Sequence, residues 1–409
     1  MTVVGLQWVQ STDTYSSPTG DSIGSLTPAT RVAACNAIDP WMSMVRCNLW
    51  DTGVQTATGV NNNTSTAADR CYTDTDVANM GQVMVKLKKS WYATNHTGTP
   101  GSMTYRWYIT NNPTDALPTG ATALGESAWG VHPAFIRNGV TKDQIYIGAY
   151  EGYVNDISGT LYLESKAGVL PSGDDETTLL TGNPHGTLPN FRSWAHNRVI
   201  GAPDQWEMQD HLIVSYIQLL GSLEYGGFNW QALIGQGNCN NTARINTGST
   251  GSAGNTSYGV PGDGIHAMSY RGIENFYANL LKWVDGLNIS GSERQAWVAN
   301  HGFACDTFDG TIYQNTNVTL AGSGGYISDI NTNSTYDYGF LPWAVAGSPT
   351  ADFCDYYIAP AGNMIYNMGY GYPNTTLAGP FAWRTHSSGA YGGIPSTGYP
   401  IGTRLMYIG

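Results

Sequence analysis

Six cysteines and eight histidines are the side chains of this sequence best suited to redox or metal chemistry, and their spacing supports neither. The closest cysteines are Cys35 and Cys47, so the chain has no C-x-x-C pair, and no two histidines have H-x-x-x-H spacing. We therefore predict no metal ion and no cofactor. We expect the cysteines to be buried free thiols, with a Cys35–Cys47 disulfide as the alternative in an oxidising compartment.

Three acids, Asp204, Glu207 and Asp210, have the three-residue spacing that could place carboxylates on one helix face for acid–base work. They fall in the first two turns of a helix predicted over residues 204–225, where acids favour the helix dipole. We interpret them as capping or solvated acids. No G-x-S-x-G nucleophile motif occurs, and the glycine-rich run at 322–325 lacks the lysine of a phosphate-binding loop. The sequence therefore predicts that the protein is not an enzyme.

Aromatic rings alternate with small and polar residues near the C-terminus, over residues 379–409. Tyr and Trp offer a large contact area for little lost rotamer freedom, and Gly, Ser and Asn adapt their hydrogen bonds, which is typical of a binding surface. An apolar strand predicted at 401–408 would hold this surface in place. The alternative is that Trp383 and Tyr391 belong to the core. The candidate contact residues are Phe381, Trp383, Thr385, His386, Ser387, Tyr391, Ser396 and Tyr399, with Tyr370 and Tyr372 from an adjoining loop.

The composition of the chain limits the kinds of partner that it can bind. Charged residues make up 12% of the chain, the net charge is −12, and the basic residues do not cluster, so we expect no nucleic acid. The longest apolar run, 212–223, is short and contains polar residues, so we expect no membrane insertion. The N-terminal residues lack the basic start and apolar core of a signal peptide, and we expect synthesis in a cytoplasm.

The pattern along the chain predicts an α+β fold with helices packed on a twisted antiparallel sheet. Alternation bounded by Gly and Pro predicts strands at 83–87, 91–92, 105–109, 134–136 and 144–150, and 169–187 is predicted to be a linker or long loop. Apolar residues at three and four spacing predict two helices, at 204–225 and 272–284. We divide the chain into a β-rich N-terminal region (1–80), a β-rich intermediate domain (81–185) and a C-terminal domain (186–409).

Several segments are similar to known proteins. The sequences at 132–139 (H-P-A-F-I-R-N-G), 144–150, 191–198 and 224–237 resemble tailed-bacteriophage structural proteins. The segment Y-R-G-I-E-N-F-Y-A-N-L-L-K-W-V-D-G-L-N-I and the closing W-R…G-A-Y-G-G…I-G-T-R-L resemble the C-type-lectin-like fold of the formylglycine-generating-enzyme type. Phage tropism determinants and retroelement-diversified variable proteins use such a closing region to contact receptors.

This resemblance implies a virion surface protein, assembled in the host cytoplasm, that forms part of a tail fibre or tail tip. Its partners would be a host-cell receptor (protein or glycan), other virion proteins reached through residues 1–80, and further copies of itself, with a trimer by analogy. One alternative is a capsid-decoration or tail structural protein without a receptor role. A formylglycine-generating-type enzyme is disfavoured because the required cysteine pair is missing: Cys305 and Cys354 are far apart in the sequence. No W-N-D triplet supports calcium-dependent sugar binding.

Overall fold

A computed structural model describes residues 3–49, 55–58, 82–121, 129–172, 186–198, 205–291, 293–330, 336–351, 353–358, 362–370, 377–387 and 401–409, without the side chains of 55–58, 386 and 387. Strands dominate these residues, and the fold class is α+β as predicted. The strands are β1 (Val4–Val9), β2 (Thr14–Ser16), β3 (Arg46–Leu49), β4 (Gln55–Thr58), β5 (Gln82–Lys88), β6 (Trp91–Thr97), β7 (Thr104–Thr110), β8 (Gly130–Val131), β9 (Ile136–Arg137), β10 (Val140–Thr141), β11 (Gln144–Gly148), β12 (Tyr153–Ile157), β13 (Thr160–Glu164), β14 (Trp206–Met208), β15 (Ser269–Tyr270), β16 (Ile273–Glu274), β17 (Leu281–Ile289), β18 (Gln295–Val298), β19 (Gln314–Thr319), β20 (Gly325–Ile330), β21 (Pro342–Val345), β22 (Tyr356–Ile358), β23 (Met364–Met368), β24 (Trp383–Ser387), β25 (Ile401–Gly402) and β26 (Leu405–Tyr407).

The strands form three larger sheets and three short hairpins. A five-stranded sheet has the order β2-β1-β7-β6-β8, and a six-stranded sheet has the order β14-β26-β11-β5-β3-β4. The largest sheet runs β19-β18-β17-β23-β24-β22-β20-β21, with β25 beside β17. The division at 80/81 and 185/186 stays a prediction, but the six-stranded sheet takes strands from all three of those ranges. One apolar core likewise collects side chains from the whole chain.

Several predicted strands are confirmed. The segments predicted at 83–87, 105–109 and 144–150 correspond to β5, β7 and β11, and 91–92 opens the longer β6. The segment 134–136 is different, because Pro133–Phe135 forms a 3-10 turn and only its last residue enters β9. Alternation bounded by Gly and Pro therefore located most of these strands correctly.

The helices described are α1 (Pro28–Cys35), α2 (Leu188–His196), α3 (His211–Tyr225) and α4 (Trp230–Leu233). α3 is central, since every residue in it except Tyr225 is buried. At Gly221 the indole of Trp230 packs so closely that a Cβ would lie 1.9 Å from the ring, which requires glycine there. No helix in the described ranges combines the length and the apolar character needed to cross a membrane.

The helix predicted over 204–225 begins later than expected. Residues 206–208 form β14, and α3 starts after Asp210, whose carboxylate accepts a hydrogen bond of 2.9 Å from the Ile213 amide. Asp210 is therefore the N-cap of α3, which agrees with its interpretation as a capping acid. Glu207 is neither solvated nor helical, because it lies buried in β14. Asp204 lies outside the described residues.

The second predicted helix, at 272–284, is wrong. The segment instead contains β16, an irregular turn and the start of β17. Arg271, Asn275, Ala278 and Asn279 all have left-handed backbone angles, with φ between 43° and 65°, which no α-helix accommodates. All residues from 270 to 281 are buried, so their apolar spacing reflects burial on every side and not a helical stripe.

A buried ion pair stabilises this irregular segment. The Lys282 ammonium lies 2.8 Å from a carboxylate oxygen of Glu151, and both side chains are fully buried. The other carboxylate oxygen accepts hydrogen bonds from the side-chain amides of Asn275 and Asn279. Lys282 also donates to the carbonyls of Ala278 (2.8 Å) and Leu280 (3.0 Å). The pair thus satisfies side-chain and backbone groups that water cannot reach.

We expect the Lys282→Met variant to lose about 3–5 kcal/mol in free energy of unfolding, because it leaves the Glu151 carboxylate buried without a counter-ion. The double variant Glu151→Leu/Lys282→Met should recover a large part of this loss, since neither charge remains. Denaturant unfolding followed by tryptophan fluorescence measures both.

The matched control is Lys89→Met, which breaks the exposed Lys89–Asp143 pair and should hardly change stability. Equal effects of Lys282→Met and Lys89→Met would contradict a stabilising role for the buried pair.

Candidate functional site

Four of the predicted contact residues are buried inside the chain. Phe381 and Trp383 have no exposed surface, and Thr385 and Tyr370 are each 2% exposed. The Trp383 ring stacks on Tyr366 at a centroid distance of 4.0 Å. The prediction that these four residues meet a receptor is therefore wrong for this conformation. The rings of Phe381, Trp383 and Tyr370 fill the core, as the alternative for Trp383 proposed.

The Phe381 ring belongs to an aromatic cluster. It makes edge contacts with Phe228, Phe340 and Phe353 at centroid distances of 5.1–5.3 Å. Such edge-to-face contacts add about 0.5–1.5 kcal/mol per pair beyond area burial. Phe381 therefore fixes the chain just before β24.

For the other six predicted contact residues, the structure does not describe the side chain. His386 and Ser387 lie in β24, but their side chains are outside those described. Tyr372, Tyr391, Ser396 and Tyr399 lie outside the described residues. The prediction that these six residues contact a receptor stays a prediction.

The strands on either side of residues 388–400, called here the C-terminal segment, belong to one sheet. On its N-terminal side, β24 pairs antiparallel with β23, with Thr385 opposite Tyr366. On its C-terminal side, β25 pairs parallel with β17, with Ile401 opposite Leu281. Because β17 and β23 are themselves hydrogen-bonded neighbours, β24 and β25 have fixed positions relative to each other.

The strand predicted at 401–408 is divided between two sheets. β25 belongs to the largest sheet and β26 to the six-stranded sheet, with Thr403 and Arg404 between them. The buried Arg404 guanidinium donates to the carbonyls of Gly148 (2.8 Å) and Asn275 (3.0 Å), and Thr403 donates to the Trp283 carbonyl (2.9 Å). This crossing ties the chain between β25 and β26 to the buried turn at 270–280.

A buried acid fixes the chain that leads into β24. Asp355 accepts a hydrogen bond of 2.6 Å from the Phe381 amide. Its carboxylate lies so close to Gly379 that a Cβ there would be 1.8 Å from Oδ1. Burial raises the pKa of Asp355 to about 7. The carboxyl group therefore holds its proton more tightly in the folded chain than in the unfolded chain.

A separate groove opens between the residues around Pro133–Phe135 and those between β18 and β19. It has a volume of about 450 Å³, within the range of roughly 300–1,000 Å³ common for ligand pockets. We call it the polar groove. Sequence reasoning missed it, because its walls come from distant parts of the chain and no motif marks them. Its lining includes Pro133, Ile136, Leu212, Asn300, His301, Thr311, Ile312, Gln314, Asn315, Tyr336 and Tyr338.

The groups best suited to catalysis are paired or protonated. Arg192 binds both carboxylate oxygens of Asp285, at 2.7 and 2.8 Å. Cys305 lies beside this pair, and burial raises the pKa of its thiol to about 11, so it is not a thiolate at neutral pH. His196 and Glu207 form a pair at 2.8 Å, and burial raises the pKa of Glu207 to about 7. Among the described residues, His196 is the ionisable group that contacts the Glu207 carboxyl group.

The described cysteines are free thiols. Cys35, Cys47, Cys239 and Cys354 are buried, and Cys35 and Cys47 form no disulfide here. Arg271 forms a buried ion pair with Glu224 at 2.6 Å. Within the described ranges, no group of three or more His, Cys, Asp or Glu residues could hold a metal ion.

Neither a known family model nor a curated protein sequence matches this chain. The resemblance to phage proteins and to the C-type-lectin-like fold stays a prediction.

We expect Trp383→Ala to lower the free energy of unfolding by about 3–5 kcal/mol, because the buried indole leaves a cavity next to Tyr366. Tyr258→Ala is the control, since Tyr258 is 42% exposed and its loss should change stability by less than about 0.5 kcal/mol. Thermal or denaturant unfolding measures both. A Trp383→Ala protein as stable as Tyr258→Ala would contradict the core position of the indole.

The ionisation of Asp355 predicts a pH dependence. Both states of the chain are protonated at this site below pH 4, and the folded state alone keeps the proton between about 4 and 7, so this group lowers stability progressively as pH rises through that window. Asp355→Asn removes this ionisation. The free energy of unfolding of the variant minus that of the wild type should therefore increase as the pH rises from 4 to 7.5. Denaturant titrations across this range measure the difference. Parallel pH profiles of the two proteins would contradict the assignment.

Proposed function

We propose that this protein is a surface protein of a tailed-phage virion, in a tail fibre or tail tip, that binds a host-cell receptor through its C-terminal segment. The observation that carries the proposal is that β24 and β25, the strands on either side of that segment, belong to one sheet. A rigid frame that fixes the residues flanking a binding segment lowers the entropy cost of binding. The frame itself would be a C-type-lectin-like domain.

Within this proposal, the predicted residues divide into two roles. Phe381, Trp383, Thr385 and Tyr370 stabilise the frame, because they are buried in it. The proposed receptor contacts are Tyr372, His386, Ser387, Tyr391, Ser396 and Tyr399. This set keeps rings and small polar residues together, the composition of adaptable binding loops.

The chemistry of the described residues favours binding over catalysis. The Cys305 thiol is protonated at neutral pH, and the Arg192–Asp285 pair beside it is fully engaged. A nucleophile needs a lowered pKa or an adjacent base, and Cys305 has neither. Attachment to other virion proteins through residues 1–80 and assembly as a homotrimer belong to the same proposal.

The receptor proposal is tested with the full-length protein carrying a fluorescent label, added to the bacterium on which the phage grows. We expect Tyr391→Ala/Tyr399→Ala to reduce cell binding about tenfold or more, because aromatic anchors carry much of the energy of interfaces. Its unfolding midpoint should equal that of the wild type. The control is Tyr258→Ala, an exposed ring elsewhere. Unchanged cell binding by the folded double variant would overturn the role of the C-terminal segment.

The location of the protein on the phage particle distinguishes a receptor-binding role from a capsid-decoration role. Immunogold electron microscopy of purified virions should place the label at the tail fibre or tail tip. Label confined to the head would instead support capsid decoration, and absence of label from particles would overturn the virion assignment.

A further inference from the structure

We propose that the polar groove is a binding site for a neutral oligosaccharide. The proposal is argued from described residues alone and does not rest on the role proposed for the C-terminal segment. The inference rests on three features of the groove: its lack of charge, its mixture of rings and polar groups, and the hydrogen bonds that hold those groups in place.

The lining carries no formal charge among the described residues. None of the described lining residues is Lys, Arg, Asp or Glu, and several of them carry hydrogen-bonding side chains, including Asn300, Gln314 and Asn315. An anionic ligand such as a phosphate or an acidic sugar would lose hydration without gaining a counter-charge. A ligand with many neutral hydroxyl groups fits this lining better.

Apolar surface lies beside the polar groups. Tyr338 is half-buried, and the side chains of Ile136 and Ile312 line the same groove. A pyranose ring has one face of C–H groups and an edge of hydroxyls, so it can pack on an aromatic ring while its edge forms hydrogen bonds. Tyr338 itself packs on Tyr336 at a centroid distance of 4.4 Å, which supports the ring from within.

The buried layer below the rings is also fixed. Tyr336 stacks on His211 and hydrogen-bonds its Nε2. Burial lowers the pKa of His211 to about 3, so this imidazole is neutral. The layer therefore adds no charge to the groove.

Hydrogen bonds hold two polar side chains of β19 in place. The Gln314 amide nitrogen donates to the carbonyls of Gly310 (2.8 Å) and Thr311 (3.0 Å). The Asn315 amide nitrogen donates to the Gln295 side chain (2.6 Å), and its amide oxygen accepts from the Asn317 backbone amide (2.8 Å). No described residue hydrogen-bonds the Gln314 amide oxygen, so it can accept from a ligand. Groups held in this way lose less rotamer entropy on binding.

Asn300 and His301 are likewise held in place by a hydrogen bond. Nδ1 of His301 lies 2.6 Å from the Asn300 amide oxygen, which fixes both side chains. Nε2 of His301 and the Asn300 amide nitrogen have no hydrogen-bond partner among the described residues. Together with Gln314 they present both donors and acceptors, as hydroxyl groups require.

The test is saturation-transfer NMR followed by calorimetry on the full-length protein. The probes are neutral oligosaccharides of glucose, galactose, mannose, rhamnose and N-acetylglucosamine, with sialyllactose as the acidic counterpart. We expect at least one neutral probe to bind and sialyllactose not to bind. Binding of none of the neutral probes, or of sialyllactose alone, would overturn the proposal.

Variants locate the binding. The double variant Asn300→Asp/Gln314→Glu keeps side-chain size but adds two charges. It should raise the Kd of the neutral probe about tenfold or more, since each new carboxylate must be desolvated on binding. The control is Asn246→Asp, at an exposed amide outside the groove. Tyr391→Ala/Tyr399→Ala should bind the probe as the wild type does, which separates this site from the C-terminal segment. Undiminished binding by the folded Asn300→Asp/Gln314→Glu protein would overturn the proposal.

Discussion

The Glu151–Lys282 ion pair is the interaction on which the arrangement of the sheets depends. It lies without solvent exposure beneath an irregular turn whose backbone has four left-handed residues other than glycine. Such a turn is stable only when its surroundings over-determine it, since each of these conformations costs about 1–3 kcal/mol. The two charges supply part of that constraint by binding side-chain amides and backbone carbonyls of the same turn.

The turn connects the pair to the candidate binding regions. Arg404 donates to carbonyls of the turn and of Gly148, so the crossing between β25 and β26 is fixed by the same buried polar groups. β17 begins at the end of the turn and pairs with both β23 and β25. The frame around the C-terminal segment is therefore set by a network of charges and amides as much as by apolar packing.

Sequence patterns predicted the elements whose local signals agree with their final environment. β5, β7 and β11 were found because their alternation is bounded by turn residues, and α3 because its apolar residues recur at three and four spacing. The start of α3 was missed: Asp204 and Asp210 are equally good caps by residue type, and only tertiary structure selects Asp210. The segment 272–284 failed because burial on all sides gives the same apolar spacing as a helix.

The candidate site was less predictable for a similar reason. Trp383 and Tyr391 occur in the same ring-rich context, and composition alone does not distinguish a ring in the core from one on a surface. The polar groove joins residues near 133 with residues near 300 and 338, and no local pattern reports such a meeting. The neutral character of its lining also emerges only after folding selects which side chains face it.

The position of β26 has a consequence for biosynthesis. This strand, at 405–407, lies inside the six-stranded sheet between β14 and β11, which in turn pairs with β5 from early in the chain. A growing polypeptide therefore cannot complete this sheet before residue 407 has been synthesised, and until then β11 and β14 each lack the neighbour that β26 supplies. During that interval these edges are open to pairing with other strands, so they are the part of the nascent sheet that chaperone protection would serve.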